Sequence, residues 1–171
     1  MKKIAIIGPE STGKSTITAQ LAGYYNEPAV EEFGRKYLEK TNGTYQKEDL
    51  LAITKGMIES EKSLAKKANN FLFCDTDLIM MKVWYEVKYG QCHPLVLDQL
   101  RKRPYDFYLL CAPDLPWEED PLRENPTMRE ELFEKYLTNL KHYDFRYRIV
   151  KGMKNRFQGA VVEIEKLKND D

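Results

Sequence analysis

Short, uniformly apolar runs alternate along the chain with longer segments whose apolar residues recur every three or four positions. The apolar runs predict strands at residues 2–7, 28–30, 71–74, 106–111 and 147–150. The periodic segments predict helices at residues 14–25, 31–40, 46–69, 77–88, 95–101, 128–140 and 155–168, with a polar end at 169–171. Because the strands are apolar throughout, the pattern indicates a parallel sheet covered by helices on both faces.

This alternation of strand and helix predicts a doubly wound α/β domain, since parallel strands are joined by right-handed crossovers. The chain has 171 residues, which fits a single domain with its own core. We therefore expect one domain over residues 1–171, with a parallel sheet of about five strands as the middle of three layers. Residues 113–127 depart from the pattern, with acidic residues between four prolines, and predict a loop or lid.

Composition excludes several classes of protein. The chain has 27 basic and 27 acidic residues, and a zero balance argues against a protein that coats nucleic acid. Cys74, Cys92 and Cys111 have no zinc-site spacing and are expected to be buried hydrophobes in a reducing cytosol. No apolar stretch approaches the roughly 20 residues of a membrane span. We expect a cytoplasmic protein with no nucleic-acid or membrane partner, and the sequence leaves the oligomeric state open.

The strongest motif follows the first predicted strand. Residues 8–15 match the phosphate-binding pattern G-x-x-x-x-G-K-[ST] at every fixed position. The two glycines allow backbone torsions that turn successive N–H groups toward an anion, and the following helix directs its positive end at the phosphates. Lys14 supplies charge for the β- and γ-phosphates, and Ser15 offers a hydroxyl to Mg²⁺. The motif predicts a P-loop that binds ATP and Mg²⁺ through Gly8, Glu10, Ser11, Thr12, Gly13, Lys14, Ser15 and Thr16.

The remaining sequence narrows the kind of P-loop protein. The strings D-x-x-G and N-K-x-D, typical of GTP-binding switches, do not occur, and no predicted strand ends in the Asp-Glu pair typical of motor ATPases. The third strand is instead followed by Asp75 and Asp77, at the sheet edge that lies beside the P-loop. We expect Asp75 to hold Mg²⁺ through a water. Asp77 is a candidate to contact the hydroxyl of a substrate or to take its proton, and it also suits the cap of the following helix; the two interpretations are compatible.

Two arginines and a tryptophan mark the predicted lid. Small-molecule kinases close such a segment over ATP, exclude water and clamp the phosphoryl oxygens with arginine. Arg123 and Arg129 are candidates for that clamp, and solvated arginines are the alternative. Trp117 is either a hydrophobic latch or part of a substrate wall.

Together these stretches resemble the ribosylnicotinamide kinase domain of the NadR family, over most of the chain. The resemblance rests on the P-loop with its Pro-Glu-Ser variant, EEFGRKY at 31–37, FCDTD at 73–77, Trp84, Tyr89-Gly90, and the lid pattern D-x-P-W-x-x-D-x-x-R at 114–123. The lid departs from the family pattern at Pro121, where a glycine is expected. That departure affects lid mobility and leaves Arg123 in place.

The resemblance implies a P-loop NTPase fold and transfer of the γ-phosphate of ATP to the 5′-hydroxyl of nicotinamide riboside, which gives NMN in NAD salvage. Glu32 is implied to bind ribose hydroxyls or act as general base, and Arg35 to pair with Glu32 or with the transferred phosphate. Trp84 or Trp117 is implied to stack on the cationic pyridinium. Simpler interpretations stay open, since Glu32 suits the first turn of a helix and Trp84 suits a core. The candidate catalytic residues are Lys14, Glu32, Asp75, Asp77 and Arg123.

In that family the kinase follows an adenylyltransferase domain, which a DNA-binding domain sometimes precedes. The 171 residues leave no room for either, so we expect neither DNA binding nor NMN adenylylation. Two alternative functions stay open: a kinase for another nucleoside or small metabolite, and a nucleotide-binding regulatory ATPase that changes shape for a partner. The carboxylates of Glu32 and Asp77 favour an enzyme, because a regulator does not need both beside the phosphates.

Overall fold

Five parallel strands form one sheet in the order β2-β3-β1-β4-β5. The computed structural model describes residues 1–169, so residues 170–171 of the polar end predicted at 169–171 lie outside the described residues. The strands are β1 (Lys2–Ile7), β2 (Ala29–Val30), β3 (Phe71–Asp75), β4 (Phe107–Cys111) and β5 (Tyr147–Val150). The predicted doubly wound parallel sheet is confirmed.

Seven helices cover the sheet within the described residues. They are α1 (Lys14–Tyr25), α2 (Phe33–Lys40), α3 (Lys47–Ala65), α4 (Leu78–Tyr89), α5 (Pro94–Arg101), α6 (Arg129–His142) and α7 (Arg156–Asn169). The helix predicted at 46–69 extends four residues beyond the observed end of α3 at Ala65. The reason is a turn in which the Glu27 carboxylate accepts the N–H groups of Asn69 and Asn70, at 2.9 and 2.6 Å. These bonds compete with helical ones and direct the chain into β3.

Side chains of the strands alternate between two cores. Ala5 and Ile7 of β1 pack in the core on the side of α3 to α6, whereas Ile4 and Ile6 pack in the core on the side of α1 and α7. All four residues are fully buried, which explains why the strand reads as a continuous apolar run. The three cysteines are also buried and free. Among the described helices, none combines the length and apolar character needed to cross a membrane.

One charged side chain of α3 lies in the core. Glu61 is only 4% exposed. Its carboxylate accepts a hydrogen bond from the Tyr105 hydroxyl at 2.5 Å and pairs with the Lys3 ammonium at 2.7 Å. The pair fastens α3 to the first residues of the central strand.

We predict that Glu61→Ala lowers the free energy of unfolding by about 2 kcal/mol or more, because it leaves the Tyr105 hydroxyl and the Lys3 ammonium without their partner. Urea unfolding followed by circular dichroism measures the change. Glu59→Ala is the matched control: its pair with Lys62 on the same helix is exposed, so that variant should unfold like the wild type. Equal midpoints for the two variants would contradict a role of the buried pair in stability.

Candidate active site

The phosphate-binding loop begins where β1 ends, and its shape depends on two glycines. Gly8 has φ of 145°, and a Cβ atom there would lie 2.6 Å from the carbonyl oxygen of Cys111 at the end of β4. Gly13 has φ of 75°. Residues with a side chain rarely adopt either φ value, so both positions of the motif need glycine to turn the chain back into α1.

The loop encloses the ammonium group of Lys14. Thr12 and Lys14 both donate hydrogen bonds to the carbonyl oxygen of Pro9, at 2.8 Å each, and both side chains are buried. The loop forms one wall of a cavity of about 660 Å³. Of the predicted nucleotide-binding residues, those that line this cavity are Glu10, Ser11, Thr12, Gly13, Lys14, Ser15, Thr16 and Arg123. Gly8 shapes the loop without lining the cavity.

Asp75 is placed where the sequence predicted a metal-binding carboxylate. It ends β3 and is only 4% exposed, and its Oδ1 atom has no hydrogen-bond partner. Burial raises the pKa of Asp75, while the Lys14 charge and the nearby Ser15 hydroxyl oppose that rise. A buried carboxylate oxygen without a partner, beside a hydroxyl, is a donor set that fits Mg²⁺. Ser15 and Asp75 are therefore the residues that would hold the ion.

A second cavity, of about 320 Å³, lies on the other side of Glu32. Its walls are mostly apolar and come from α2, α3, α4, α6 and the lid. Trp84 is one of these walls: its ring packs over Gly34, and its indole N–H donates to the Tyr45 hydroxyl at 2.9 Å. The charged residues that line this cavity are three carboxylates and one ammonium group, Glu10, Glu32, Glu124 and Lys88.

Glu32 lines both cavities, just before α2 begins. Burial raises the pKa of its carboxyl. The charges of Lys14 and Arg35 oppose this rise, and those of Asp75 and Glu10 add to it. A carboxylate with a raised pKa, between a phosphate-binding loop and an apolar cavity, has the properties of a general base.

Asp77 does not lie in either cavity, so the prediction that it contacts the substrate is corrected. Its side chain is fully buried, and its two oxygens accept the N–H groups of Ile79 and Met80 at 2.9 and 2.8 Å. Burial raises the pKa of Asp77 to about 7, against these hydrogen bonds. Asp77 is the cap of α4, the alternative that the sequence had left open.

The lid is attached to the P-loop through two P-loop side chains. The Glu10 carboxylate accepts the backbone N–H groups of Glu124 and Asn125, at 3.0 and 2.8 Å. The Ser11 hydroxyl accepts the N–H group of Glu118 at 2.9 Å. Residues 113–127, where a loop was predicted, have no helix or strand, and these bonds to the P-loop fix their course.

Comparison with known proteins agrees with this geometry. An AAA domain family model, AAA_28, matches residues 3–156. The chain belongs to this family. The trifunctional NAD biosynthesis/regulator protein NadR of Escherichia coli K12 is 31% identical over 127 residues, which cover 72% of this chain and 31% of that protein. The AAA domain thus spans about a third of the length of its curated relatives.

Solved structures show the same fold. A NadR protein in complex with NR aligns over 96% of this chain and 50% of its own, with a TM-score of 0.76 and 21% identity. A deoxyadenosine kinase from M. mycoides aligns over 96% of this chain and 99% of its own, with a TM-score of 0.65 and 17% identity. The AAA domain therefore has the fold of P-loop kinases, and the predicted resemblance to NadR is confirmed.

In this AAA domain, the three residues predicted to form the clamp and the latch differ in whether they line the phosphate cavity. Arg123 lines the phosphate cavity, as predicted. Arg129 instead donates to the carbonyl oxygens of Ser11 and Leu115, at 3.2 and 2.9 Å, and lines neither described cavity. Trp117 packs between Arg123 and Arg129, with both guanidinium carbons 5.9 Å from its ring centre, and is also outside both cavities. Trp117 is therefore a latch within the lid, and Arg129 supports the P-loop from outside.

Arg35 has a different partner from the two predicted for it. Its guanidinium pairs with Asp120 of the lid at 2.6 Å, and it lines the phosphate cavity. Hydrogen bonding to Asp120 is the main reason that the pKa of Arg35 is raised, against partial burial. Arg35 therefore connects α2 to the lid, and the nearby charge of Glu32 adds to its stabilisation.

Sequence reasoning missed Arg156, the first residue of α7. It is 7% exposed and lines the phosphate cavity. Its guanidinium donates to the carbonyl oxygens of Thr12, Ala112 and Val150 at 3.2, 3.2 and 3.3 Å, and pairs with Asp114. A cation at the beginning of a helix opposes the helix dipole, and this mismatch was the only local signal of a special role.

We predict that Glu10→Gln loosens the lid without unfolding the domain. Glutamine offers one acceptor oxygen to two N–H donors and turns its own NH₂ group toward the other donor. Loss of a charge-assisted bond weakens a local structure by about 1.5–3 kcal/mol, or roughly tenfold or more in the opening equilibrium.

Amide hydrogen exchange of peptides within residues 118–128 measures that opening. The matched control is Glu118→Gln, since the Glu118 side chain is 81% exposed and only distantly paired with Arg123. Unchanged exchange in Glu10→Gln would contradict the attachment of the lid through Glu10.

Proposed function

We propose that this domain transfers the γ-phosphate of ATP to the 5′-hydroxyl of nicotinamide riboside, giving NMN and ADP. The observation that carries the proposal is the position of Glu32, whose carboxylate lines both the phosphate cavity and the mostly apolar cavity. A phosphoryl group and the hydroxyl that attacks it must meet at such a junction. A regulatory ATPase that only binds nucleotide has no need of the second cavity.

The charge of the second cavity favours a cationic acceptor. Its three carboxylates face one ammonium group, that of Lys88, which lies 3.4 Å from Glu124. Trp84 adds an aromatic face to the wall, and aromatic faces attract cations. Nicotinamide riboside carries a positively charged pyridinium ring. The likeness to a NadR protein that binds NR supports the same acceptor.

In the proposed reaction the 5′-hydroxyl oxygen bonds to the γ-phosphorus, and the bond from that phosphorus to the β,γ-bridging oxygen breaks. The hydroxyl proton passes to the Glu32 carboxylate, and ADP leaves with the electrons of the broken bond. Lys14 and Arg123 line the cavity where negative charge accumulates, and they stabilise it. Ser15 and Asp75 would hold Mg²⁺, which would supply further positive charge at the phosphates.

The division of the chain belongs to the same proposal. Residues 1–171 act as one kinase domain, and residues 113–127 act as its lid. The bonds from Glu10 and Ser11 to the lid support this, because the lid then covers the junction of the two cavities and keeps water from the phosphate.

The proposed function is tested by ADP release from ATP and Mg²⁺ across a panel of acceptors. We expect strong stimulation by nicotinamide riboside, weak stimulation by the common nucleosides and a slow rate without acceptor. A Lys14→Ala variant should lose the stimulated rate by orders of magnitude. Stimulation by another nucleoside alone would reassign the acceptor. A slow rate that ignores every acceptor would favour the regulatory ATPase.

We predict that Glu32→Gln lowers kcat by about 10²–10⁴-fold, the usual contribution of a general base, with little change in ATP affinity. In the wild type, kcat should fall as pH drops through the pKa of Glu32, because a protonated carboxyl cannot accept the proton. Since that pKa is raised, the loss should begin at a higher pH than for an ordinary glutamate. The variant should lack this limb of the pH profile.

Glu31→Gln is the matched control, since the neighbouring Glu31 side chain is 71% exposed and lines neither described cavity. It should keep the wild-type rate and pH profile. An unchanged kcat in Glu32→Gln would return Glu32 to the structural role of a residue at the beginning of a helix.

A further inference from the structure

Thr76 has a backbone conformation that its side chain disfavours. Its φ is 88°, and it is the only β-branched residue among the described residues with positive φ. The others are glycine or Ser11, Asn26, Asn42, Arg103 and Asp144. Branching at Cβ makes this region costly, whereas glycine adopts it freely. Folding alone would therefore favour glycine at position 76.

The Thr76 side chain adds a second cost. The residue is 8% exposed, and its Oγ1 atom is buried with no hydrogen-bond partner. Its backbone N–H is satisfied, since it donates to the carbonyl oxygen of Ile6 at 3.2 Å. A hydroxyl that is buried without a partner destabilises the folded state. Strain and an unpaired polar group at one residue are typical of a binding site whose ligand supplies the missing partner.

The surroundings of Thr76 indicate which part of a ligand reaches it. Thr76 lines the second cavity, as do Glu32 and Trp84. Thr76 directly follows Asp75, the candidate Mg²⁺-binding residue at the end of β3. Trp84 lies eight residues further along the chain, and the seven helical steps from Asp77 correspond to about 10 Å of rise along α4. That separation is comparable to the length of a nucleoside, so Thr76 lies at the sugar end and Trp84 at the base end.

We infer that Thr76 is a substrate-binding residue whose hydroxyl hydrogen-bonds to the 2′- or 3′-hydroxyl of the acceptor sugar. The inference rests on the proposed function, in which the 5′-hydroxyl faces Glu32. A site that pairs its own buried hydroxyl with a substrate hydroxyl strongly disfavours analogues that lack that group. Thr76 therefore makes the site selective for the intact sugar, at a cost to the stability of the ligand-free domain.

Three substitutions separate the hydroxyl from the backbone. Thr76→Val keeps the branched shape and loses the hydroxyl, Thr76→Ser keeps the hydroxyl, and Thr76→Gly removes both the hydroxyl and the strain. For the acceptor that the wild type uses, we expect kcat/KM to fall about tenfold or more in the Val and Gly variants and less than threefold in Ser. The KM for ATP should stay within about twofold in all three.

The Gly variant also reports on the strain. Its Tm should equal or exceed that of the wild type while its acceptor kcat/KM falls, a combination that a purely structural role of Thr76 does not produce. A lower Tm in Thr76→Gly would overturn the strain argument. Wild-type kinetics in Thr76→Val would overturn the assignment of the hydroxyl.

Acceptors that lack the 2′- or the 3′-hydroxyl complete a double-mutant cycle with Thr76→Val. One of them should lose about tenfold in kcat/KM with the wild type and much less with the variant, which identifies the hydroxyl that Thr76 contacts. Additive losses for both analogues would exclude the contact. If no acceptor stimulates the wild type, the proposed function fails and this assignment fails with it. An active wild type with additive cycles would refute the Thr76 assignment alone.

Discussion

Parallel hydrogen bonding of β1 to both β3 and β4 brings the carboxyl ends of three strands to the same edge of the sheet. The P-loop leaves one of them, Asp75 ends the second and the lid follows the third. The spacing between strands is fixed by the backbone, so these groups lie close together without any additional interaction. A Cβ atom added at Gly8 would lie only 2.6 Å from the Cys111 carbonyl oxygen, which shows how close the approach is. Every other feature of the site depends on this edge.

The two cavities differ in charge although the whole chain is neutral. The phosphate cavity is lined by cations such as Lys14, Arg123 and Arg156, whereas the charged residues of the mostly apolar second cavity are three carboxylates and one ammonium group. Glu10 and Glu32 line both and form the border. Such a separation of charge attracts a polyanion to one cavity and a cation to the other. The net charge of the chain, which is zero, gives no sign of it.

Much of this arrangement follows from local sequence patterns. Apolar runs locate the strands, because β1 and its neighbours are buried on both faces. Helical periodicity locates the helices. The errors are small and lie at the ends of the elements. The phosphate loop is also local, since its glycines, Lys14 and Ser15 are consecutive. Asp77 was ambiguous for a physical reason: an aspartate before a helix has the same sequence signature whether it caps the helix or faces a ligand.

Long-range pairing is what sequence could not predict. Glu61 is buried because Lys3 and Tyr105 come from distant parts of the chain to meet it. Arg123 of the lid lines the cavity and Arg129 of α6 does not, because Ser11 and Leu115 present carbonyl oxygens to Arg129. The strain at Thr76 is equally invisible, since no pattern of residue types reports a φ value.

Arg156 gives the nucleotide site a particular place in the order of folding. Its guanidinium joins carbonyl oxygens after β1 and β4 and at the last residue of β5, and it pairs with Asp114 at the start of the lid. During synthesis the P-loop emerges well before Arg156, and this support arrives only after about 140 more residues have been added. The chain therefore builds its phosphate-binding loop early and stabilises it late. A nascent chain should acquire its full affinity for nucleotide only when α7 has docked.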